Sequence, residues 1–280
     1  MRNVLITGAS SGIGRETALL LAEHGQRVFA GVRSDAAAKA LRSATTGDLC
    51  PVHLDVTDAA SISAASVQIR EALGEGRLQG LVNNAGMTIT APLEFVDLDA
   101  LRRQFEVNVF GVAAVTKAFL PLLERPDGRV VNVSSGAGKI VSPLIGPYCA
   151  SKYALEAMSD ALRIEIRGQG LFVSVVEPGA IDTPIHEKND AQLQGMLEAL
   201  PAQGRARYEP ALARLRRMNE SMAKQGVPAA RVARTIAKAL SARRPKTRYP
   251  VSAEAHLLAW IGPFLGDRAR DAIFGRMVGL

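Results

Sequence analysis

Short apolar runs rich in β-branched residues recur along the chain, with helix-length segments between them. The runs are NVLIT (3–7), RVFAGV (27–32), PVHLDV (51–56), GLVNN (80–84), RVVNVS (129–134), FVSVVE (172–177) and RYPV (248–251). Between the first two, Ile13, Thr17, Leu20, Leu21 and His24 fall at near-helical spacing and stop at Gly25, a residue suited to a helix C-terminus. Further helices are expected over about 58–73, 98–123 and 148–167, and from Pro228 to Ala242. Strands alternating with helices predict right-handed βαβ crossovers, hence an α/β fold with a parallel sheet covered on both faces. Continuously apolar strands agree with burial on both sides.

After about residue 183 the alternation lapses. Residues 184–226 read as helices and loops without a strand, which suits an insertion or lid better than a second domain, so 1–280 is expected to form one domain with its core over 1–183. The remainder, 227–280, holds a helix, the last strand and the apolar tail HLLAWIGPFLGDRARDAIFGRMVGL. Trp260, Phe264 and Phe274 of that tail are expected to pack on the body, with a subunit contact or a membrane contact as alternatives.

Composition, at 48% hydrophobic and 22% charged, is ordinary for a globular protein. The opening MRNVLITG runs straight into a strand and leaves no room for a signal peptide, and no run of 18 apolar residues reads as membrane-spanning, so a cytoplasmic location is expected. Cys50 and Cys149 lie far apart, and His24, His53, His186 and His256 show no ligand spacing, so no metal is expected. The net charge of +7 sits in one segment: residues 201–250 carry 13 Lys/Arg against two Glu, leaving −4 over the rest. Spread along apparent helices, this charge reads as a solvated face, with an acidic partner or an anionic membrane surface as the alternative. Nucleic acid is not expected, because this segment holds only Tyr208 and Tyr249 as stacking rings and matches no binding motif.

Directly after the first strand, TGASSGIG places Gly8, Gly12 and Gly14 where strand becomes helix, with Ser10, Ser11 and Ile13 between and beside them. Glycines permit the tight turn and close backbone approach to a pyrophosphate, whose charge the helix-start N–H groups attract. A purely structural glycine turn has the same pattern. At the end of the second strand, Val32 stands where a ribose-binding acid is expected and Arg33 follows, so the site offers a guanidinium to a 2′-phosphate; NADP(H) is favoured over NAD(H) unless Arg33 points elsewhere. Tyr148 precedes Lys152 by one helical turn, so the ammonium is expected to lie beside the phenol and lower its pKa. Alone the pair decides nothing, since a packed ring beside a solvated lysine has the same spacing.

In chain order these segments are TGASSGIG (7–14), LDVTD (54–58), NNAG (83–86), Asn108 within FEVNVFG, VNVSSGAG (131–138), YCASK (148–152) and EPGAIDT (177–183). Together, over about 180 residues, they resemble the single-domain branch of the short-chain dehydrogenase/reductase family. The resemblance implies a Rossmann-type, doubly wound parallel sheet of about seven strands, and a homodimer or homotetramer. It further implies that Asp55 and Val56 flank the adenine, that Asn83, Asn84, Ala85 and Gly86 border the cofactor cleft, and that Pro178, Gly179, Ile181 and Thr183 lie near the nicotinamide. Tyr148 would be the general acid/base, Lys152 would lower its pKa and bind the nicotinamide ribose, and Ser135, thirteen residues before Tyr148, would hydrogen-bond the substrate oxygen. Asn108 would hold a water linking Lys152 to solvent.

Substrate choice is expected from segments outside the shared pattern: Met87 to Leu93, the loop 138–146 and the region 184–226. Ile140, Val141, Leu144 and Ile185 suggest an apolar pocket, and the short loop 140–147 carries no charge to hold a carboxylate or phosphate. KTRYPV and the long C-terminal part resemble the subgroup acting on steroids, retinoids and comparable lipophilic alcohols. The expected activity is NADP(H)-dependent hydride transfer at a carbonyl or alcohol of a medium-sized apolar molecule. A 3-oxoacyl thioester reductase that docks its carrier protein or coenzyme A on the basic segment is the alternative, and a non-catalytic NADP sensor is the reading from a different class.

Overall fold

In the first strand, β1 (Asn3–Ile6), Val4 and Ile6 bury into one apolar cluster while Leu5 enters another on the opposite side, as the two-residue period of a strand requires. The same sorting recurs in β2 (Arg27–Val32), where Val28, Ala30 and Val32 oppose Phe29, and in β5 (Arg129–Val133), where Val131 and Val133 oppose Val130. The computed structural model describes residues 2–179, 181–182, 194–198, 200–252 and 266–279, with only the backbone of 182 and 219–225. With β3 (Leu49–His53), β4 (Gly80–Asn83), β6 (Phe172–Glu177) and β9 (Arg248–Pro250), the strands form a seven-stranded sheet in the order β3-β2-β1-β4-β5-β6-β9, every pair parallel.

Helices cover both faces. On one lie α1 (Gly12–Glu23), α2 (Asp35–Arg42) and α8 (Ala229–Ser241), which contribute Leu21, Leu41 and Ile236; on the other α3 (Ala59–Leu73) and α5 (Gly111–Phe119) contribute Ile69, Val115 and Phe119. This is the doubly wound architecture that the alternation of strands and helices predicts. The reversal of strand order between β1 and β4 opens a crevice at their carboxyl ends, where TGASSGIG and NNAG meet.

Several boundaries differ from the sequence pattern, each for a local reason. The third strand is shifted towards the N-terminus of PVHLDV: β3 begins at Leu49, tolerating Pro51 because it is an edge strand, and stops at His53, just before Asp55 turns the chain by accepting the N–H and Oγ1–H of Thr57 at 2.9 and 2.7 Å. The helix α2 escapes the apolar pattern because Leu41 is its one buried residue; Ser34, whose hydroxyl accepts Ala37 N–H, was the signal for its start. The expected helix 98–123 is α4 (Leu98–Phe105), a π turn over Glu106–Phe110, α5 and a 3-10 turn over Leu120–Leu122. Against the expectation that nothing is long and apolar enough to span a membrane, Leu98–Leu122 qualifies by length and composition alone; Val115, Phe119 and Leu122 of it lie in the core.

Before β6 lies α6 (Gly146–Glu165), which begins two residues earlier than the pattern predicts because Pro147 occupies its first turn. Beyond β6, β7 (Ile181–Asp182) pairs in parallel with β8 (Val227–Pro228), so short strands bracket the inserted region. Within that region α7 (Ala202–Gln225) packs Ala211, Leu212 and Leu215 on Leu144 and Leu200, with Phe95 and Tyr208 alongside. On α8 the basic Arg231, Arg234 and Lys238 are exposed opposite the buried Val232, Ile236 and Leu240, a solvated face as expected. Of the apolar tail, Trp260 and Phe264 lie outside the described residues; Phe274 is half-buried on α9 (Asp267–Val278).

Phe119 has no exposed surface and sits in the cluster beneath α3 and α5. Phe119→Ala is expected to cost about 3–5 kcal/mol, read as a lowered urea midpoint; an unchanged midpoint would show that this cluster does not hold the sheet's second face.

Candidate active site

The turn after β1 is built by close backbone approach. Gly8 has φ of +65°, and a Cβ there would stand 2.8 Å from Ala85 Cα, so a side chain is excluded on both conformational and steric grounds. A Cβ on Gly14 would strike the Gly8 carbonyl and stand 2.5 Å from Asn84 Nδ2. The Asn84 amide donates to the carbonyls of Thr7 and Gly8 at 3.0 and 3.1 Å, and Thr7 Oγ1 accepts the N–H groups of Asn84 and Ala85, both at 3.0 Å. The two turns flanking the crevice are thus one hydrogen-bonded unit. Ser11 caps α1 without a side-chain hydrogen bond, Ser10 and Ser11 are exposed, and Gly12 and Ile13 are half-buried at the helix start. This glycine cradle before a helix fits a dinucleotide pyrophosphate.

Asn83, expected to border the cleft, does not do so with its side chain. As the last residue of β4 it is 2% exposed, and its amide donates to Thr116 Oγ1 at 3.0 Å and Asn132 Oδ1 at 2.8 Å, tying the sheet to α5. Of the stretch 83–86 expected at the cleft, Asn84 is the asparagine that shapes the crevice; strand alternation across NNAG is the signal that separates it from Asn83. Ala85 is half-buried and Gly86 exposed beside Asn108 and Lys152, since a Cβ on Gly86 would stand 3.4 Å from Asn108 Oδ1 and 3.9 Å from Lys152 Nζ. Val32 is buried, Arg33 is exposed, and Val56 is buried next to Gly111. Burial alone would raise the Asp55 carboxyl; the hydrogen bonds from Thr57 and the Arg33 charge outweigh it and hold the pKa below its usual value.

Ser135, Tyr148 and Lys152 come together from β5 and α6. The extended Ser135 heads a 3-10 turn over Gly136–Gly138, accepts Ala137 N–H at 3.2 Å and hydrogen-bonds the Tyr148 phenol. Lys152 is 5% exposed; its Nζ donates to Val133 O at 2.9 Å and lies 5.7 Å from the Tyr148 ring centroid. The expected lowering of the tyrosine is not what the side chains produce. Desolvation dominates and pushes Tyr148 up to about 12 against the pull of Ser135, while Lys152, committed to the Val133 carbonyl, is itself brought down to about 8 by burial, opposed by Glu156.

Asn108 lies in the π turn with its side chain already engaged: Oδ1 accepts Met87 N–H at 2.9 Å, and Nδ2 donates to Met87 O and Ser151 Oγ at 2.9 and 3.0 Å. Its amide fastens the loop after NNAG to α6, and none of its hydrogen bonds goes to Lys152. Pro178 is buried and its carbonyl accepts Gly136 N–H at 3.0 Å; Gly179 is half-buried. Ile181 packs into the first apolar cluster and so is core. Thr183 and Ile185 lie outside the described residues. Of the expected substrate pocket, Val141 is 52% exposed, but Ile140 is buried and Leu144 is covered by α7, so Leu144 anchors that helix and lines no open surface.

A family model for short chain dehydrogenases matches residues 2–194. The chain belongs to the short-chain dehydrogenase family. Members are oxidoreductases of the CH–OH/C=O couple that use NAD(P), and this chain is one. It is 36% identical over 276 residues to retinol dehydrogenase 5 of Homo sapiens, covering 96% of this chain and 86% of that protein. It is 33% identical over 279 residues to the NADPH-dependent 3-dehydrocapnine reductase of Ornithobacterium rhinotracheale, covering 98% and 96%. A short-chain dehydrogenase of Burkholderia phymatum, solved with NAD, superposes with a TM-score of 0.78 at 26% identity, covering 93% of this chain and 92% of that one.

The short-chain dehydrogenase scaffold therefore holds an ammonium inside the protein at a cost. The Lys152 pKa falls from 10.5 to about 8, so the native state penalises the cation fully below pH 8 and is relieved as pH rises from 8 towards 10.5. That shift corresponds to about 3 kcal/mol near neutrality, offset by about 1 kcal/mol for the hydrogen bond to Val133. Lys152→Met is expected to raise the calorimetric Tm at pH 7, with the gain shrinking between pH 8 and 10.5. Equal or lower stability at pH 7 would show that the buried charge is not costly.

Proposed function

We propose that this short-chain dehydrogenase is an NADP(H)-preferring enzyme for the carbonyl or alcohol of a medium-sized, apolar molecule, with Tyr148 as general acid/base. The observation that carries the reading is the contiguity of Ser135, Tyr148 and the buried Lys152 at the mouth of the glycine cradle. With its pKa near 12, the Tyr148 phenol keeps its proton at neutral pH and is a proton donor. In reduction the phenol O–H donates to the carbonyl oxygen, and the Ser135 hydroxyl, already bonded to that phenol, donates to the same oxygen as charge develops there. Bound NADPH supplies the hydride. Lys152, close to the ring and mostly protonated at pH 7, stabilises the phenolate left behind; a water at the Asn108 main chain returns the proton from solvent.

Buried Val32 followed by exposed Arg33 supports NADP(H): no carboxylate stands at the end of β2 to repel a 2′-phosphate, and a guanidinium faces solvent beside Asp55. The NADPH dependence in the name of the 3-dehydrocapnine reductase points the same way. The uncharged 140–147 loop, with Val141 exposed on it, supports an apolar substrate, in keeping with the retinol named for the human relative. Leu98 at the start of α4 and Phe110 at the end of the π segment are exposed, which supports self-association as a homodimer or homotetramer.

Tyr148→Phe is expected to abolish NADPH-dependent turnover across a panel of apolar ketones and aldehydes while leaving NADPH affinity within about twofold; substantial residual turnover would assign the proton to another group. In fluorescence titration NADPH is expected to bind about tenfold or more tighter than NADH, and Arg33→Ser to erase the difference. Equal dissociation constants for the two in the unsubstituted chain would refute the cofactor preference.

A further inference from the structure

Next to Lys152, but outside the set of residues that touch reactants, lies a second group of buried charges. Glu156 and Glu177 are 5% and 2% exposed, and two cations serve both: Lys139 Nζ lies 2.8 Å from Glu156 Oε2 and 3.6 Å from Glu177 Oε1, and Arg248 Nε lies 2.8 and 3.3 Å from the same two atoms. The group joins four segments. Lys139 follows the Ser135 turn, Glu156 is on α6, Glu177 ends β6 directly before Pro178, and Arg248 opens β9, where its NH2 also reaches Asp160 at 2.8 Å.

Glu156 stands one helical turn after Lys152 on the same face of α6. Gly138 lets the Ser135 turn pack against that face, since a Cβ there would stand 3.0 Å from Glu156 Cγ and 3.2 Å from Lys152 O. One Glu156 oxygen takes the cations; the other, Oε1, is buried without a hydrogen-bond partner. Around Lys152, β5 offers the Val133 carbonyl, the π turn offers Asn108 and α6 offers Tyr148 and Glu156, so Glu156 is the charged group acting on the ammonium. Facing Glu156 are Lys139 from the 3-10 turn, Glu177 from β6, Arg248 from β9, and Lys152 and Asp160 from its own helix; among the described residues α4 and the π turn bring no ion pair to it.

We propose that Glu156 is a positioning residue that keeps the buried Lys152 ammonium charged, with Lys139 and Arg248 setting how much of its carboxylate charge reaches that ammonium. Taking away the carboxylate leaves a buried cation without its favourable field, whereas taking away Lys139 frees more of that field for Lys152. The two changes therefore act in opposite directions. A residue that merely braces the turn would move neither in this way.

The proposal rests on the reading of Lys152 as the cation beside the reacting phenol, and its test is independent of turnover. The full-length chain carrying 13Cε-labelled lysine is titrated by NMR, with the Lys152 resonance assigned by its loss in Lys152→Arg. Glu156→Gln is expected to lower the Lys152 midpoint by about half a pH unit or more, and Lys139→Met to raise it by a similar amount. An unchanged or raised midpoint in Glu156→Gln overturns the proposal. If far-UV circular dichroism shows that variant to be unfolded, Lys139→Met decides, and a midpoint that does not rise overturns it. Failure of the unsubstituted chain to oxidise NADPH with any carbonyl would refute the proposed activity and leave these midpoints to be judged by themselves.

Discussion

The molecule depends on holding one ammonium inside the protein. Lys152 Nζ reaches across from α6 to the last carbonyl of β5, fixing the helix that carries Tyr148 against the strand that leads to Ser135. A buried cation without partners would neutralise or disrupt the site. Here it is bonded to a carbonyl and kept within the field of Glu156, one turn away. The arrangement holds a cation beside the Tyr148 ring at the expense of fold stability.

The second constraint is the distance between two backbones. β1 and β4 are neighbours in the sheet, and the chain leaves them in two turns that touch at Gly8 and Ala85. Thr7 and Asn84 close the hydrogen bonds between those turns, so the glycine cradle is held rigid from the NNAG side. One layer deeper, Asn83, Asn132, Thr116 and Ser159 form a polar chain through the sheet and onto α5 and α6. In this network the Asn83 and Asn132 Nδ2 groups find partners while Asn83 Oδ1 has none, and the paired groups leave few alternative registers for the strands that present the site.

The α/β alternation was legible because each strand is apolar enough to be buried on both sides, and the seven strands fall where such runs occur. It faltered where local chemistry competes with periodicity. Asp55 ends β3 early through its hydrogen bonds with Thr57, α2 buries only Leu41, and the π turn around Asn108 looks like uninterrupted helix. Of the candidate site, Tyr148 and Lys152 could be paired from their spacing and Ser135 from the family resemblance, whereas which of Asn83 and Asn84 faces the crevice was not legible, because adjacent strand residues face opposite ways and the end of β4 decides which is last.

By itself the sequence determined the order of elements, the glycine turn after the first strand and the one-turn separation of Tyr148 from Lys152, since all three are consequences of local geometry. Only the tertiary structure decided what those residues experience. The phenol lies in a desolvated setting that raises its pKa, Leu144 lies beneath α7, and carboxylates from α6 and β6 share Lys139 and Arg248. Desolvation and charge pairing depend on which distant segments close over a side chain, and no spacing along the chain encodes that.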